Sequence, residues 1–233
     1  EQLDTPLHTH LHETQDEIKL SLDSHGVRPI ERLHKLGLLG PNLVAVHMTQ
    51  LTDDETKLIA QQGCSIAHCP SSNMKLANGF SPITKLLAQN VNVGLGTDSA
   101  ASNNRLDMFE EMRLAALLTK AVSGQANALT AHQTLHMGTL AGARALGIDH
   151  ITGSLSVGKA ADITAINFLD INLMPCYDPV SHLIYAAGRE QVSHVWVNGK
   201  ILLNEGQFTT LDKAELQHNA AFWQQRIGTA NKQ

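Results

Sequence analysis

Paired cysteines, aromatic clusters, basic patches and long apolar runs are all scarce in this 233-residue chain, and each scarcity removes a class of function. The three cysteines, Cys64, Cys69 and Cys176, are an odd number without CxxC spacing. Neither a disulfide framework nor a paired-cysteine zinc site is expected, and all three read as ordinary core thiols in a reducing compartment. Aromatics make up 4% of the residues, the formal net charge is -5 and the pI is near 6.2. That leaves no base-stacking platform and no electrostatic footprint for nucleic acid. No apolar run approaches the ~20 residues needed to span a bilayer, and no basic segment with an apolar h-region opens the chain. A cytoplasmic protein with a small-molecule partner, and without a membrane partner, is the expectation. HExxH and G-x-S-x-G are absent as well, and Pro175-Cys176 lacks the second cysteine of a P-C-x-x-C zinc site.

What is present is an alternation of strand and helix. Apolar runs at about 6–12, 43–48, 64–69 and 91–98 read as strands, each followed by a helical pattern, which predicts an α/β fold with a parallel sheet. In Val91 to Asp98 the odd positions are mainly apolar and the even ones small or polar; Val44-Ala45-Val46-His47-Met48 has the same parity. Thr52-Asp53-Asp54-Glu55 and Thr130-Ala131-His132-Gln133 read as capping boxes, and Ser81-Pro82 puts proline at a first helical position. Leu106 to Ala121 carries an apolar face at helical spacing, most simply a core helix.

After Gly147 the texture changes to short β-like runs punctuated by glycine, with an Asn198-Gly199 hairpin signal. The expected organisation is strand-helix units over 1–147, a β-rich module over 148–210, and a closing segment over 211–233 with a helix from about Lys213 to Ile227. Four strand-helix units are half of an eight-stranded (β/α)8 barrel, whose active sites sit at the carboxyl ends of the strands. Half a barrel cannot close its own sheet. An open doubly wound sheet is the alternative, but Gly94-x-Gly96 is followed by Ser99 where the nucleotide fingerprint needs a third glycine.

The candidate chemistry lies at those strand ends. His10, His47 and Asp98 close or follow apolar runs, and Glu13, three residues after His10, falls where its strand gives way to a loop. Histidine and aspartate offer ligands suited to zinc or ferrous iron. A bound zinc brings the pKa of a water to about 7, and a carboxylate just outside the ligand shell can shuttle protons. Glu13 would fill that role, and His47 would orient the nucleophile. The plainer reading is also on the table: among 13 histidines, one at a strand end is more often structural than a ligand. His8 is read as structural, His12 is left open between the two, and His68, ending a strand, is a candidate for the pocket lining. His25, His34, His132, His136, His150, His194 and His218 are read as structural or solvated.

The segments His10-Leu11-His12-Glu13-Thr14, Val46-His47-Met48-Thr49-Gln50-Leu51-Thr52, His68 to Leu76 and, most specifically, Gly96-Thr97-Asp98-Ser99-Ala100-Ala101-Ser102-Asn103-Asn104 resemble the metal-dependent amidohydrolase superfamily, in its chlorohydrolase and aminohydrolase branch. Gly153-Ser154-Leu155 with Gly158 to Asp162 resembles that family's return from barrel to β-sandwich. The resemblance implies the carboxyl-terminal half of a TIM-like metallo-hydrolase barrel with part of a small β-sandwich. It implies His10 and Asp98 as metal ligands, Glu13, His47 and Asp98 as catalytic groups, and Glu13, Asp98 and Ser102 at the substrate. One divalent metal follows, zinc first and Fe2+ as the alternative. The implied reaction removes the 6-amino group of an adenine nucleoside thioether, 5'-methylthioadenosine or S-adenosylhomocysteine, as ammonia.

The family's first-strand His-x-His pair is not in this sequence, since His8-Thr9-His10 belongs to the fifth strand by its Glu13. Together with a start at Glu1 rather than methionine, this predicts a segment of a longer protein. The missing amino-terminal barrel half would be a required partner, without which metal binding and turnover would be weak. A homo-oligomer is the expected assembly. Two other readings stay open, a hydrolase of the same branch acting on guanine, a triazine or a related heterocycle, and a non-catalytic barrel half serving as an assembly module.

Overall fold

The computed structural model describes residues 5–230. Four strands, β1 (Leu7–Leu11), β2 (Leu43–His47), β3 (Ser65–His68) and β4 (Asn92–Leu95), pair side by side in sequence order, all parallel. The register sets Leu11 beside His47, Val46 beside Ala67, and His68 beside Leu95, so the four carboxyl ends lie along one rim. Every residue of β2 is buried, because a parallel strand inside the sheet is covered on both faces. β1 and β4 are the outer strands, each with one edge unpaired among the described residues. β1 is largely exposed except at Leu11.

The connections are helical. α1 (Gln15–His25) and α2 (Pro29–Lys35) follow β1, and α3 (Asp53–Gln62) follows β2. α4 (Pro70–Lys75) and α5 (Ile83–Ala88) follow β3. After β4 come α6 (Ala100–Asn103), α7 (Met108–Ser123), α8 (Ala131–Met137) and α9 (Leu140–Ala145). Both expected capping boxes form, at Thr52 with Glu55 and at Thr130 with Gln133. The proline expectation is one residue off: Pro82 is the N-cap of α5 and not its first helical residue. Leu43, Ala45, Met48, Ile59, Ile66 and Leu86 form the heart of the apolar core between sheet and helices.

Beyond α9 a second, antiparallel sheet holds β5 (Ile163–Ile166), β6 (Val192–Val197), β7 (Lys200–Asn204) and β8 (Gln207–Phe208), again in sequence order. β6 and β7 turn through Asn198 and Gly199, both with positive φ (49° and 76°), as the Asn-Gly signal predicts.

The stretch 148–210 is not β-rich throughout, because α10 (Pro179–Tyr185) interrupts it. Asp178 caps it through bonds from the Val180 and Ser181 amides, Pro179 takes the first helical position, and Ile184 packs against Met112 and Ala116 of α7. The Asp-Pro start was a readable signal that the surrounding β-like texture masked. α11 (Lys213–Ala230) runs to the end of the described residues; positions 231–233 of the closing segment lie outside them. The three cysteines are free: Cys64 and Cys69 are buried as expected, whereas Cys176 is exposed and is no core thiol. No helix among the described residues is long and apolar enough to cross a membrane.

Candidate active site

Where three of the four parallel strands end, at β1, β2 and β4, the backbone bends through a conformation that L-residues adopt at a cost. His12, His47 and Asp98 have φ of 53°, 72° and 58°, all in the left-handed region. Such residues cost on the order of 1–3 kcal/mol each and persist where the surroundings over-determine them. Here the surroundings do so with hydrogen bonds. The amides of Thr49 and Gln50 both donate to His12 O, at 2.9 and 3.1 Å, tying the end of β2 to the end of β1. The Glu17 carboxylate accepts from the amides of His12 (3.0 Å) and Glu13 (2.6 Å), so the loop after β1 is clamped from the first turn of α1.

The bends bring His10, Glu13, His47 and Asp98 together. His47 is fully buried, and its Nε2 lies 3.6 Å from Glu13 Oε1 and 4.0 Å from Asp98 Oδ2. His10 stands beside it with ring centroids 5.1 Å apart, its Nε2 3.8 Å from Asp98 Oδ1. His10 is the exposed member and His47 the buried one. Asp98 Oδ2 accepts from Ser72 Oγ at 2.6 Å and from Ser102 Oγ at 2.7 Å. Burial pushes the Asp98 carboxyl up, but these hydroxyls and the Ser99 amide outweigh it and hold it at about 2. Glu13 Oε1 accepts from Asn78 Nδ2 at 2.9 Å, and Thr49 Oγ1 donates to the Glu13 carbonyl at 2.7 Å.

The donor set suits a cation. One nitrogen from each of His10 and His47 and one oxygen from Asp98 lie within 4.8 Å of one another. His47 Nε2 is buried without a protein partner, and the neighbouring carboxylates supply negative charge. Imidazole nitrogen with carboxylate oxygen is zinc chemistry, with ferrous iron served equally well. The sequence placed His10 and Asp98 in this role; the geometry adds His47 to the donors within reach.

The histidine left open is resolved. His12 Nε2 accepts from the Ile30 amide at 3.1 Å and its Nδ1–H donates to Gln50 O at 3.2 Å, while Glu55, held by Arg28, stands 3.8 Å away. Burial lowers its pKa, and it is a structural pin between β1, α2 and α3. His68 is buried and lines a cavity of about 320 Å3 beside Asn73 and Ser81, on the far side of Asn73 from His47.

Sequence reasoning quoted Ser71 to Met74 without giving Ser72 and Asn73 a role, and it overlooked Asn78 and Glu111. Pro70 opens α4 directly after β3, which drops residues 71–73 into the first turn beside the strand rim. A proline-led turn of Ser-Ser-Asn next to a strand end was the available signal. Glu111 is fully buried in α7, accepting from the Ser71 amide (3.2 Å) and from Asn103 Nδ2 (2.6 Å). It braces the two short helices that carry Ser72 and Ser102, and burial pushes its carboxyl up despite those bonds.

Comparison with known proteins gives a consistent result. A profile described as the amidohydrolase family matches residues 1–202. A 5-methylthioadenosine/S-adenosylhomocysteine deaminase of Teredinibacter turnerae is 46% identical over 228 residues, covering 98% of this chain and 52% of that protein. A crystal structure of an adenosine deaminase from Xanthomonas campestris with bound zinc superposes with a TM-score of 0.96 at 49% identity, over 98% of this chain and 52% of that one. A zinc complex of atrazine chlorohydrolase from Arthrobacter aurescens gives 0.89 at 28% identity, over 94% and 48%. The chain spans about half the length of the curated relatives it matches.

Proposed function

Because the chain belongs to the amidohydrolase family, we propose that its four strand ends are half of a metal-dependent deaminase site that removes the 6-amino group of an adenine nucleoside thioether. The substrates of this reading are 5'-methylthioadenosine and S-adenosylhomocysteine, the products the inosine analogue and ammonia. The observation that carries it is the convergence of His10, Glu13, His47 and Asp98 on one rim, with Asp98 set in the Gly96 to Asn104 segment. His10 and Asp98 would hold the metal, zinc by the donor set, with His47 Nε2 within reach of the same ion.

Zinc, when bound, makes water acidic enough to be a nucleophile near neutrality, with a pKa of about 7. The residues of this chain divide the rest. Asp98, held ionised by Ser72, Ser102 and the Ser99 amide, would be the carboxylate to take a proton from the attacking water. Ser72 and Ser102 both donate to Oδ2 and fix the carboxylate with Oδ1 toward His10. His47 Nε2 orients the water toward C6. Glu13, anchored through Asn78 yet close to His47, would give a proton to a ring nitrogen as the carbon becomes tetrahedral and take one back from the added hydroxyl. Collapse of the adduct then breaks the C6–N bond, and the amine takes from Asp98 the proton that came from water and leaves as ammonia. Ser102 would set the rim against the nucleoside while holding Asp98.

The outer edges of β1 and β4 support a working protein in which an amino-terminal half completes the sheet and supplies the remaining ligands. Unpaired cysteines support a reducing, cytoplasmic setting, and a homo-oligomer is the working assembly of this reading.

The test is a substrate panel on the zinc-loaded full-length protein, read by ammonia release and by the ultraviolet change from adenine to hypoxanthine. Adenine nucleoside thioethers should react and guanine should not. The structural match to the chlorohydrolase favours one second reading, a triazine-type heterocycle hydrolase. Turnover of a chlorotriazine or guanine, with adenine nucleosides inert, would replace the first reading by that one.

A further inference from the structure

Buried side-chain polar atoms without a protein partner include, among the described residues, His47 Nε2, His68 Nδ1, Asn73 Nδ2 and Ser81 Oγ. Three of their four residues, His68, Asn73 and Ser81, line one cavity. Asn73 is the wall between that cavity and the site, since its Oδ1 lies 2.8 Å from His47 Nδ1.

We propose that Asn73 is a positioning residue that sets the tautomer of His47: its amide oxygen accepts the proton on Nδ1 and leaves a lone pair at Nε2 facing Glu13 and Asp98. The two carboxylates alone would favour the opposite tautomer, because an Nε2–H at 3.6 and 4.0 Å from their oxygens is better placed electrostatically than a lone pair. Asn73 therefore has to overrule them. It can do so only if its own amide points one way, oxygen to His47 and nitrogen to the cavity. Its nitrogen faces the cavity shared with Ser81 and His68 without a protein hydrogen bond, so the contact with His47 is what orients the amide. A flipped amide would instead set its nitrogen against His47. His12 shows the same fold fixing a ring by other means, the Gln50 carbonyl taking Nδ1–H and the Ile30 amide filling Nε2. At His47 the backbone is replaced by one asparagine, and Nε2 is left for the reaction.

The consequence is chemical. A lone pair at Nε2 accepts a hydrogen bond from the attacking water or binds a cation directly, whereas Nε2–H can only donate. The kinetic part of this proposal rests on the deaminase reading; the tautomer itself does not.

The decisive measurement is 15N NMR of the zinc-loaded full-length protein labelled at histidine, with the His47 signals identified from a His47→Gln sample. The expected spectrum has hydrogen on Nδ1 and none on Nε2. Asn73→Asp keeps an acceptor and should keep that pattern; Asn73→Leu should collapse it into a mixture. Supporting groups of this kind typically govern about 10–100-fold of activity, so kcat should fall by that much in Asn73→Leu, with KM and zinc content held, and by clearly less in Asn73→Asp. Hydrogen on Nε2 in the wild-type spectrum overturns the proposal, and so does a wild-type kcat in Asn73→Leu. Equal losses in both variants with lowered Tm also overturn it, in favour of plain packing. The wild-type spectrum decides even if Asn73→Leu does not fold, and inactivity on every adenine nucleoside would defeat the deaminase reading while leaving the spectrum to be judged alone.

Discussion

The two sheets of this molecule are built from strands of similar length and do opposite things with burial. In the parallel sheet β2 is buried at every position, and its rim holds His12 and His47, both fully buried, in left-handed conformations. In the antiparallel sheet no strand residue is buried, and the ladder slips between Ala165 and Ile166 and again between Val195 and Trp196. A sheet covered on both faces can hold strained backbone and unpaired polar atoms in place, since no small shift relieves them without opening the core. In the half-wet sheet the left-handed non-glycine residues, Asn198 and Glu205 (φ 49° and 48°), sit at exposed turns instead of in buried positions. The chemistry-bearing residues sit in the region able to keep them there, and α10, though it falls within the β-rich stretch, belongs by packing to that same region.

The sharpest way to break this contrast uses two carboxylates held down by the same physics. Asp98 is kept at about 2 by Ser72, Ser102 and a backbone amide against the pull of burial. Asp162 is lowered by the Asn198 amide and then by Thr152. Asp98→Asn should cut kcat by about 10²–10⁴-fold without loss of fold, the range for a positioned proton-transfer group. Asp162→Asn should leave kcat where it was. Steady-state rates of the full-length protein decide it, and an equal loss in both would mean that the two regions are not functionally distinct.

Next in size is the packing of α10. Ile184 is fully buried against Met112 and Ala116, and Arg113 Nε donates to its carbonyl at 3.2 Å. Ile184→Ala should lower unfolding free energy by about 2–5 kcal/mol, as core truncations do. Trp196, half-buried on β6 and stacked on His194, should cost less when cut to alanine despite its larger size. Urea unfolding of both variants compares them, and a larger loss at Trp196 would put the stabilising core in the wrong sheet.

These expectations also mark what could be read without coordinates. Strand positions and capping boxes follow from local chemistry, and the parallel sheet follows from the strand-helix alternation. The convergence of positions 10, 13, 47 and 98 was legible because a parallel sheet forces strand ends to a common rim. The helix Pro179–Tyr185 was hidden because glycine-punctuated β texture on either side outweighed a seven-residue signal. His12 could not be resolved by parity, since the partners that make it structural, Gln50, Ile30 and Glu55, lie far off in sequence. Asn78 and Glu111 were invisible for a related reason, each acting through a contact across elements that no spacing rule encodes, and for Asn73 the proline-led turn marks the place but not the partner.

Burial in the parallel region should also appear in the pH dependence of stability. His68 is pushed down from 6.5 to about 4, first by burial and then by His47. Its folded pKa lies below the unfolded one, so protons favour the unfolded chain. The stability concerned is present above about pH 6.5 and is lost as pH falls toward about 4, amounting to roughly 3 kcal/mol. His68→Gln should flatten that part of the profile, measured as the difference between variant and wild type across the window. A difference independent of pH would mean that His68 is not the buried, uncharged ring that this region imposes.

The smallest effect separates the regions at the level of one methyl group. A Cβ on Gly94 of β4 would stand 3.0 Å from Gly142 Cα and 3.2 Å from its amide nitrogen in α9, both backbone atoms that cannot turn aside. Gly94→Ala should therefore cost about 1–3 kcal/mol, the usual range for overpacking. Gly199 meets nothing within 4 Å, and its only demand is a φ of 76°. Gly199→Ala should cost about 1 kcal/mol, the steric cost of the left-handed conformation. The two also differ in reach. Gly94 lies on β4 and Asp98 three residues past that strand's end, so a displaced β4 carries the carboxylate with it and kcat should fall along with stability. The hairpin has no such lever on the site, and Gly199→Ala should lower Tm while leaving kcat untouched. If Gly94→Ala lost stability but kept full kcat, β4 would not be the rigid arm that holds Asp98 in position.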